Sequence, residues 1–360
     1  MTVEQTIVSD KQQWDKYFLE LPVHLRDINL SFDYYDLYRV NGDGQPQLFI
    51  YKEGGQFFFY PFLLRSIETG VLTEKYFDIE SAYGYSGPVS TSNEPAFLSQ
   101  CSEAFIAYCR SQKIVTEFIR FHPLIKNHTQ SAADESLNII PLRDYVYVDL
   151  QKSEQETWDS FTSQNRNKIR KAEKNGVEII HDYAGNYFDD FVRIYHKNMK
   201  QLNASNMYFF SDPFFEAFKS MVKKNGLLLI AKNNSEVLGA SVFMLGNMYA
   251  HYFLSSATDE GKKLAVSNLL LSKGIVYCRK AGMKALHLGG GMTDAQDDSL
   301  LVFKKNFSSL TTKFHIGKRV HFAEQYALLC SDWDQRLAPQ SEKYKNILQR
   351  YRWNENDLMK

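Results

Sequence analysis

The chain has 360 residues, and its 42 Lys and Arg balance 42 Asp and Glu, for a formal charge of zero. That length allows two domains of ordinary size, and the balance argues against a globally basic nucleic-acid binder while leaving room for a local basic patch. A hydrophobic content of 44% with 23% charged residues is that of a soluble globular protein, and 14% aromatic residues point to large cores or stacking surfaces.

The four cysteines, Cys101, Cys109, Cys278 and Cys330, show no metal-ligand or redox spacing and read as reduced thiols of a cytosolic protein. No metal site is expected. The start, MTVEQTIVSDKQQW, is polar and acidic and is not a signal peptide. The longest apolar run, residues 57–64, is too short to span a bilayer. The expectation is a cytoplasmic protein, at most peripheral to the inner face of the membrane.

Residues 14–19 start a short helix, and the aromatic cluster at 34–38 reads as core before pocket lining. Apolar runs at 48–52 and 56–64, joined by Glu53, Gly54 and Gly55, signal a β-hairpin with Pro61 at a strand edge or bulge. The loop 78–90, DIESAYGYSGPVS, has little to gain from core packing, which suits a binding role. A helix follows at 97–111. A strand at 115–121 runs into Arg120, His122 and Asn127, and a strand at 145–150 closes the first half.

From Glu154 the chain changes character. One helix over 158–176 carries Arg166, Arg170 and Lys174 on one face, read either as a solvated face or as a phosphate or RNA contact. A strand at 177–181 and an amphipathic helix at 188–202 precede a helix at 214–224, introduced by Asp212 and Pro213. Strands at 227–232, 237–245 and 249–255 form an antiparallel meander, and a helix at 268–281 stops at Gly282. The strand 285–288 then leads into LHLGGGMTDAQDDSLLVFKKNF. There Leu286 and Leu288 alternate as in a buried strand, and three glycines permit backbone forms that side chains forbid. Asp297, Asp298 and Ser299 announce a helix, on which Leu300, Phe303 and Phe307 recur beside Lys304 and Lys305. A strand end facing a helix start is a common ligand site, because free N–H groups and the helix dipole converge there. The last strand is 313–319, and 333–351 reads as helical.

The element order over 155–322 is similar to the GNAT acyltransferase fold. The segments FTSQNRNKIRKAEKNGVEI, LLLIAKNNSEVLGASVF, YFLSSATDEGKKLAVSNLLL and LHLGGGMTDAQDDSLLVFKKNF resemble the FemABX family; in the first half only YGYSGPV does. Members of that family transfer amino acids from aminoacyl-tRNA to peptidoglycan precursors. The resemblance implies an α/β (α+β) fold of two tandem GNAT-like domains, each a mixed, mostly antiparallel sheet flanked by helices. Residues 1–150 would be a degenerate acceptor-binding domain, completed by 323–360, and 151–322 the acyltransferase domain. The implied activity is N-acyl transfer of an aminoacyl group onto an amine of a cell-envelope precursor, with aminoacyl-tRNA as partner and no permanently bound cofactor. An acyl-CoA-dependent enzyme acting on an amino sugar of a surface polysaccharide is the alternative, and a non-catalytic binding protein a third reading.

Carried over residue by residue, the family's Phe-Lys pair matches Phe303 and Lys304, with the lysine stabilising charge that develops in the transfer. An amine attacking an ester or thioester builds negative charge on the carbonyl oxygen, and a positioned cation lowers that barrier by a few kcal/mol. Gly289, Gly290 and Gly291 would shape the acceptor channel. The amine must lose a proton, to Asp298, His122, His251 or water. Tyr85 and Gly87 of the Gly-Pro-Val loop, with Thr91, Tyr208 and Tyr252, are expected on substrate, and Arg166 and Arg170 on donor phosphates. Thr91, preceded by Ser90, stands where the family carries an acidic residue, and Glu94 lies close by. The family's phosphate-gripping arginine falls near Ser211 and Asp212. The glycine-rich pyrophosphate turn of acetyl-CoA enzymes is replaced by TDEGKKLAVS at 258–267, leaving Lys262 and Lys263 to bind phosphate by charge.

Overall fold

In the computed structural model residues 3–293, 295 and 297–355 are described. Asp294 and Gln296, in the expected acidic loop, lie outside the described residues. The first elements are β1 (Glu4–Val8), α1 (Lys11–Glu20), α2 (Phe32–Asn41), β2 (Gln45–Glu53), β3 (Gln56–Ser66), β4 (Phe77–Glu80), β5 (Val89–Ser90), α3 (Pro95–Ser111), β6 (Ile114–Arg120) and β7 (Asn138–Asp149). Then come α4 (Glu154–Ser160), α5 (Ser163–Lys174), β8 (Glu178–His181), α6 (Phe188–Gln201), α7 (Asp212–Asn225), β9 (Gly226–Asn233), β10 (Glu236–Leu245), β11 (Tyr249–Ala257), α8 (Asp259–Lys263) and α9 (Val266–Lys280). The chain closes with β12 (Ala285–Gly289), α10 (Ser299–Lys305), β13 (Thr311–Val320), α11 (Ala323–Arg336) and α12 (Ala338–Tyr344).

Two compact units result. One comprises Met1–Leu25, Asn29–Leu142 and Phe314–Lys360; the other comprises Arg26–Ile28 and Arg143–Lys313. The divisions fall inside β7 and inside β13, whereas the resemblance implies boundaries at 150 and 322. A sequence pattern stops where a strand stops, but compactness follows which residues pack together, and one strand can serve both units.

In the first unit the strand order is β1-β2-β3-β4-β6-β13, antiparallel except for the parallel pair β4–β6, with β5 on β3. Helix α3 buries Phe97, Cys101, Phe105 and Cys109 against Phe49, Tyr60 and Phe62 of the hairpin. Pro61 stands mid-strand, opposite Leu48, and is tolerated because β5 pairs only Phe58 and Phe59 while β4 pairs with β3 only from Leu63 onward. The aromatic cluster is core, with Tyr34, Tyr35 and Tyr38 all buried. The Tyr35 hydroxyl donates to Pro61 O at 2.9 Å, which settles its polar end.

The second unit has the order β7-β12-β11-β10-β9-β8, antiparallel except for the parallel pair β11–β12. Its core of Val146, Val148, Leu269, Leu270, Leu286, Leu288 and Phe307 lies on one face of this sheet. Both units therefore repeat one plan: strand, two helices, three-stranded meander, helix, and a strand parallel to the last of the meander. The tandem GNAT-like organisation expected from the resemblance is present.

Two expected helices are broken. Residues 158–176 form α4 and α5, because buried Phe161 is extended (ψ 143°) and Thr162 accepts from Asn165 N as the N-cap of a new helix. The expected helix at 333–351 ends in α12 and a single 3-10 turn, Arg350–Arg352.

Candidate active site

The three glycines that end and follow β12 each meet a different demand. Gly289 has φ +82°, a conformation side chains rarely adopt. A Cβ on Gly290 would lie 2.3 Å from Tyr145 Cε1, and one on Gly291 would lie 2.5 Å from Asp298 Oδ1. The loop is held at both ends by charged side chains. Arg143 Nη1 donates to Gly291 O and Met292 O, each at 3.1 Å. Asp298 is the N-cap of α10. Its Oδ1 accepts from Leu300 N and Leu301 N at 3.0 Å, and its Oδ2 from Met292 N at 3.0 Å, Thr293 N at 2.9 Å and Thr293 Oγ1 at 3.1 Å. These donors, the Leu301 amide foremost, hold its carboxyl down at about 2.

Helix α10 is pinned at its other end. Asn306 O accepts from Thr162 N and from Asn165 Nδ2, both at 3.0 Å, and Asn165 Oδ1 accepts from Asn268 Nδ2 at 2.8 Å. The break between α4 and α5 thus supplies the contacts that fix α10. On this helix Leu301 enters the core, Phe303 packs edge-on against Phe307 at 5.4 Å, and Lys304 turns inward. Lys304 is 7% exposed, and its Nζ donates to Gly290 O at 2.7 Å. Burial pushes its pKa from 10.5 down to about 7, opposed by the charge of Asp298. A well-fixed amine of this kind donates N–H groups to a developing negative charge.

Gly289, Gly290, Gly291, Asp298, Phe303 and Lys304 are therefore one constellation. The other expected residues stand elsewhere. Tyr252, on β11, is half-buried with its ring 5.4 Å from Phe243, and burial raises its phenol, whose neighbours are Ser241 and Ser255. Tyr208 lies half-buried in a short turn, where its carbonyl accepts from the Tyr195 hydroxyl at 2.8 Å. Arg166 is turned back, its Nη1 donating to Asp159 O at 3.1 Å and to Phe161 O, so it caps α4. Arg170 is exposed over the Trp158 ring at 5.4 Å. Lys262 and Lys263 are exposed on α8 and paired with Asp259 at 3.4 Å and Glu260 at 3.1 Å. The turn they occupy is helical, its amides spent internally: Gly261 N on Thr258 Oγ1 at 3.0 Å and Lys262 N on Thr258 O at 2.8 Å. In the first unit Tyr85 packs edge-on to Phe314 at 5.8 Å, and Gly87 needs its φ of +85°. Thr91 ties to β3, its Oγ1 accepting from Phe57 N at 2.9 Å.

Arg143 and Tyr145 escaped the sequence reading. They lie in β7, at or just before the start of the expected strand, and nothing local marks them as partners of a loop some 148 residues away. The glycines were a usable signal, since two of them make room for other side chains.

Residues 160–297 match the family model described as Acetyltransferase (GNAT) domain. No curated protein sequence matches the chain. Among solved structures the fold is similar to that of FemX, with a TM-score of 0.70 and 13% identity over 90% of this chain and 99% of that one. L-PGS from Bacillus licheniformis gives a TM-score of 0.56 and 12% identity over 92% and 97% of the two chains. The C-terminal domain of a putative lysylphosphatidylglycerol synthetase from Agrobacterium fabrum gives 0.52 and 13%, over 93% and 96%. The protein is an acyltransferase of the GNAT fold. Its second unit carries the matched domain, and the fold extends over nearly the whole of FemX.

Proposed function

We propose that this acyltransferase moves an aminoacyl group from aminoacyl-tRNA to an amine of a cell-envelope precursor, as a FemX-like N-acyltransferase. The observation that carries the reading is the buried Lys304, fixed on Gly290 O at the end of β12. In this mechanism the acceptor nitrogen attacks the ester carbonyl and Lys304 stabilises the oxyanion. The loop 289–291 and the start of α10 shape the acceptor channel. Asp298 acts as cap and loop clamp, because a carboxylate held at about 2 is a weak base at neutral pH. Arg170 and the exposed lysines of α5 are the donor-phosphate contacts, Arg166 being occupied by backbone carbonyls. The protein works from the cytoplasmic side of the membrane; among the described residues no helix is long and apolar enough to cross one.

The matched domain is described as an acetyltransferase, which favours an acyl-CoA donor as second reading. The helical turn at 258–263 weighs against it, since its amides are bonded internally and Asp259 and Glu260 put carboxylates beside both lysines. The two readings separate in one assay of amide formation. Activity abolished by ribonuclease supports aminoacyl-tRNA, whereas activity that survives it and requires a coenzyme A thioester supports the other.

A further inference from the structure

Helices α4, α5 and α9 of the second unit enclose a cleft of about 410 Å³, a volume within the range of small-ligand sites. Its apolar wall is made by Trp158, Phe161, Ile169, Ile275 and Val276. Phe161, Ile169 and Ile275 are buried, whereas Trp158 and Val276 keep part of their surface open. The Trp158 and Phe161 rings stand 5.6 Å apart and are tilted by 56°. Phe161 is the extended residue that ends α4, so the break that fixes α10 also gives the cleft its aromatic wall. Phe161 in turn packs edge-on to Phe307 at 5.1 Å, yet none of the lining residues belongs to the Lys304 constellation.

The rest of the rim is charged and braced. Arg279 Nη2 donates to Glu154 Oε2 at 2.9 Å, tying α9 to α4, and Lys273 Nζ donates to Glu173 Oε1 at 2.7 Å, tying α9 to α5. These pairs cancel in charge and fix the walls. An alkyl chain gains nothing from such a rim. A flat heteroaromatic ring, with apolar faces and a hydrogen-bonding edge, suits both the wall and the rim. On α5 the charge left over is positive: Lys168, Arg170, Lys171 and Lys174 are exposed, and the Arg170 guanidinium lies over the Trp158 ring at 5.4 Å. An aromatic ring beside a cationic track is how proteins hold single-stranded nucleic acid, the phosphates following the charge and a base stacking on the ring.

We infer that the cleft receives one unpaired nucleobase of the donor tRNA, stacked against Trp158, while Arg170 and Lys174 hold the flanking phosphates. This rests on the aminoacyl-tRNA reading above and gives the donor a second anchor, outside the centre where the acyl group moves. Stacking accepts any base, so the anchor supplies affinity and not a preference for one tRNA.

The test follows binding of uncharged tRNA to the whole protein, by filter retention over a series of salt concentrations and by tryptophan fluorescence. Trp158→Phe separates the signal of Trp158 from those of Trp14, Trp333 and Trp353. The expected result is that tRNA quenches the wild-type fluorescence and that the quench is lost in Trp158→Phe, which keeps most of the affinity. Trp158→Ala should bind about ten- to a hundred-fold more weakly with an unchanged salt dependence, and Val276→Phe, which fills the cleft, should also bind more weakly. Arg170→Gln should instead lower the slope of log K against log salt by about 1. Bound tRNA that leaves Trp158 unquenched, or full affinity in both Trp158→Ala and Val276→Phe, would overturn the assignment. Quenching by coenzyme A or by oleate with tRNA silent would overturn it too, making the occupant a thioester donor or an acyl chain. Should Trp158→Ala fail to fold, the quench and Val276→Phe decide between these outcomes. Wild type that does not bind tRNA, yet forms amide from a coenzyme A thioester, would instead remove the donor reading and, with it, this one.

Discussion

Burying an amine as fully as Lys304 removes solvation from its charged form, and the lowered pKa is the thermodynamic record of that. Unfolded, the side chain titrates near 10.5; folded, it titrates at about 7. Between these values the unfolded chain holds a proton that the folded chain has released, so this group makes stability rise with pH across the window, and the penalty is full below it. Lys304→Met should therefore be more stable than wild type below about pH 7, by an amount on the order of a few kcal/mol, and the gain should fade towards pH 10.5, as read by urea unfolding at several pH values. The same substitution, or Lys304→Ala, should lower kcat for transfer about a hundred- to a thousand-fold. A protein that gains stability while losing activity is what a functional lysine predicts; an ordinary helix lysine would change neither. Retention of full activity in Lys304→Ala would remove the mechanistic core of the proposal. Asp298 is the contrasting case: Asp298→Ala should cost about 1 kcal/mol through the lost cap, with looser binding of acceptor as Met292 and Thr293 come free.

At the scale of elements, the site is a strand end and a helix start held in register by short polar contacts. Gly290→Ala should act on both. Its Cβ would displace the Tyr145 ring and with it the carbonyl that holds Lys304, so activity should fall together with stability. Gly282→Ala, with φ +82° and nothing within 4 Å of a Cβ, should cost about 1 kcal/mol by backbone strain alone and leave kcat unchanged, which makes it a control in the same melting and rate assays. Most elements were legible at this scale, because periodicity, caps and turn glycines are properties of adjacent residues. The expected acidic cap before α10 is there, with Asp298 in the role. The helix expected over 158–176 was misread for a physical reason. Phe161 fits the helical repeat, yet it enters the core in an extended conformation while Thr162 restarts the helix. Arg166, Arg170 and Lys174 share one face of the expected helix, solvated or in contact with phosphate, but Arg166 is spent on backbone carbonyls at the break itself.

At the scale of the whole molecule, the C-terminal segment completes the first unit. Asp78, fully buried, accepts from Arg65 Nε at 2.8 Å, from the Tyr351 hydroxyl at 2.8 Å and from Arg352 Nε at 2.6 Å. Gln349 Nε2 donates to Ile79 O at 3.0 Å, and Trp333 Nε1 donates to Trp353 O at 2.8 Å. Ending the chain after Tyr344 would leave Asp78 with one cation where it had two and strip Tyr351 and Trp353 from a buried cluster. Losing a partner of a buried charge typically costs about 3–5 kcal/mol. The truncated protein is expected to lose the cooperative melting of its first unit, seen as early proteolysis of residues 29–142.

The sequence by itself determined most of the elements and the glycine loop, because strand alternation, helical spacing, caps and turn residues act over a few neighbours, whereas the tandem plan and the choice of Lys304 came from its resemblance to a family. Only tertiary structure decided that Arg143 clamps that loop, that Asp298 is saturated with donors, and that Asp27 meets His251 across 224 residues of chain. Contacts of that span leave no periodic trace. They are set by which strands pair and which short segment crosses from one unit to the other, and the free energy that selects them is spread over the whole packed core.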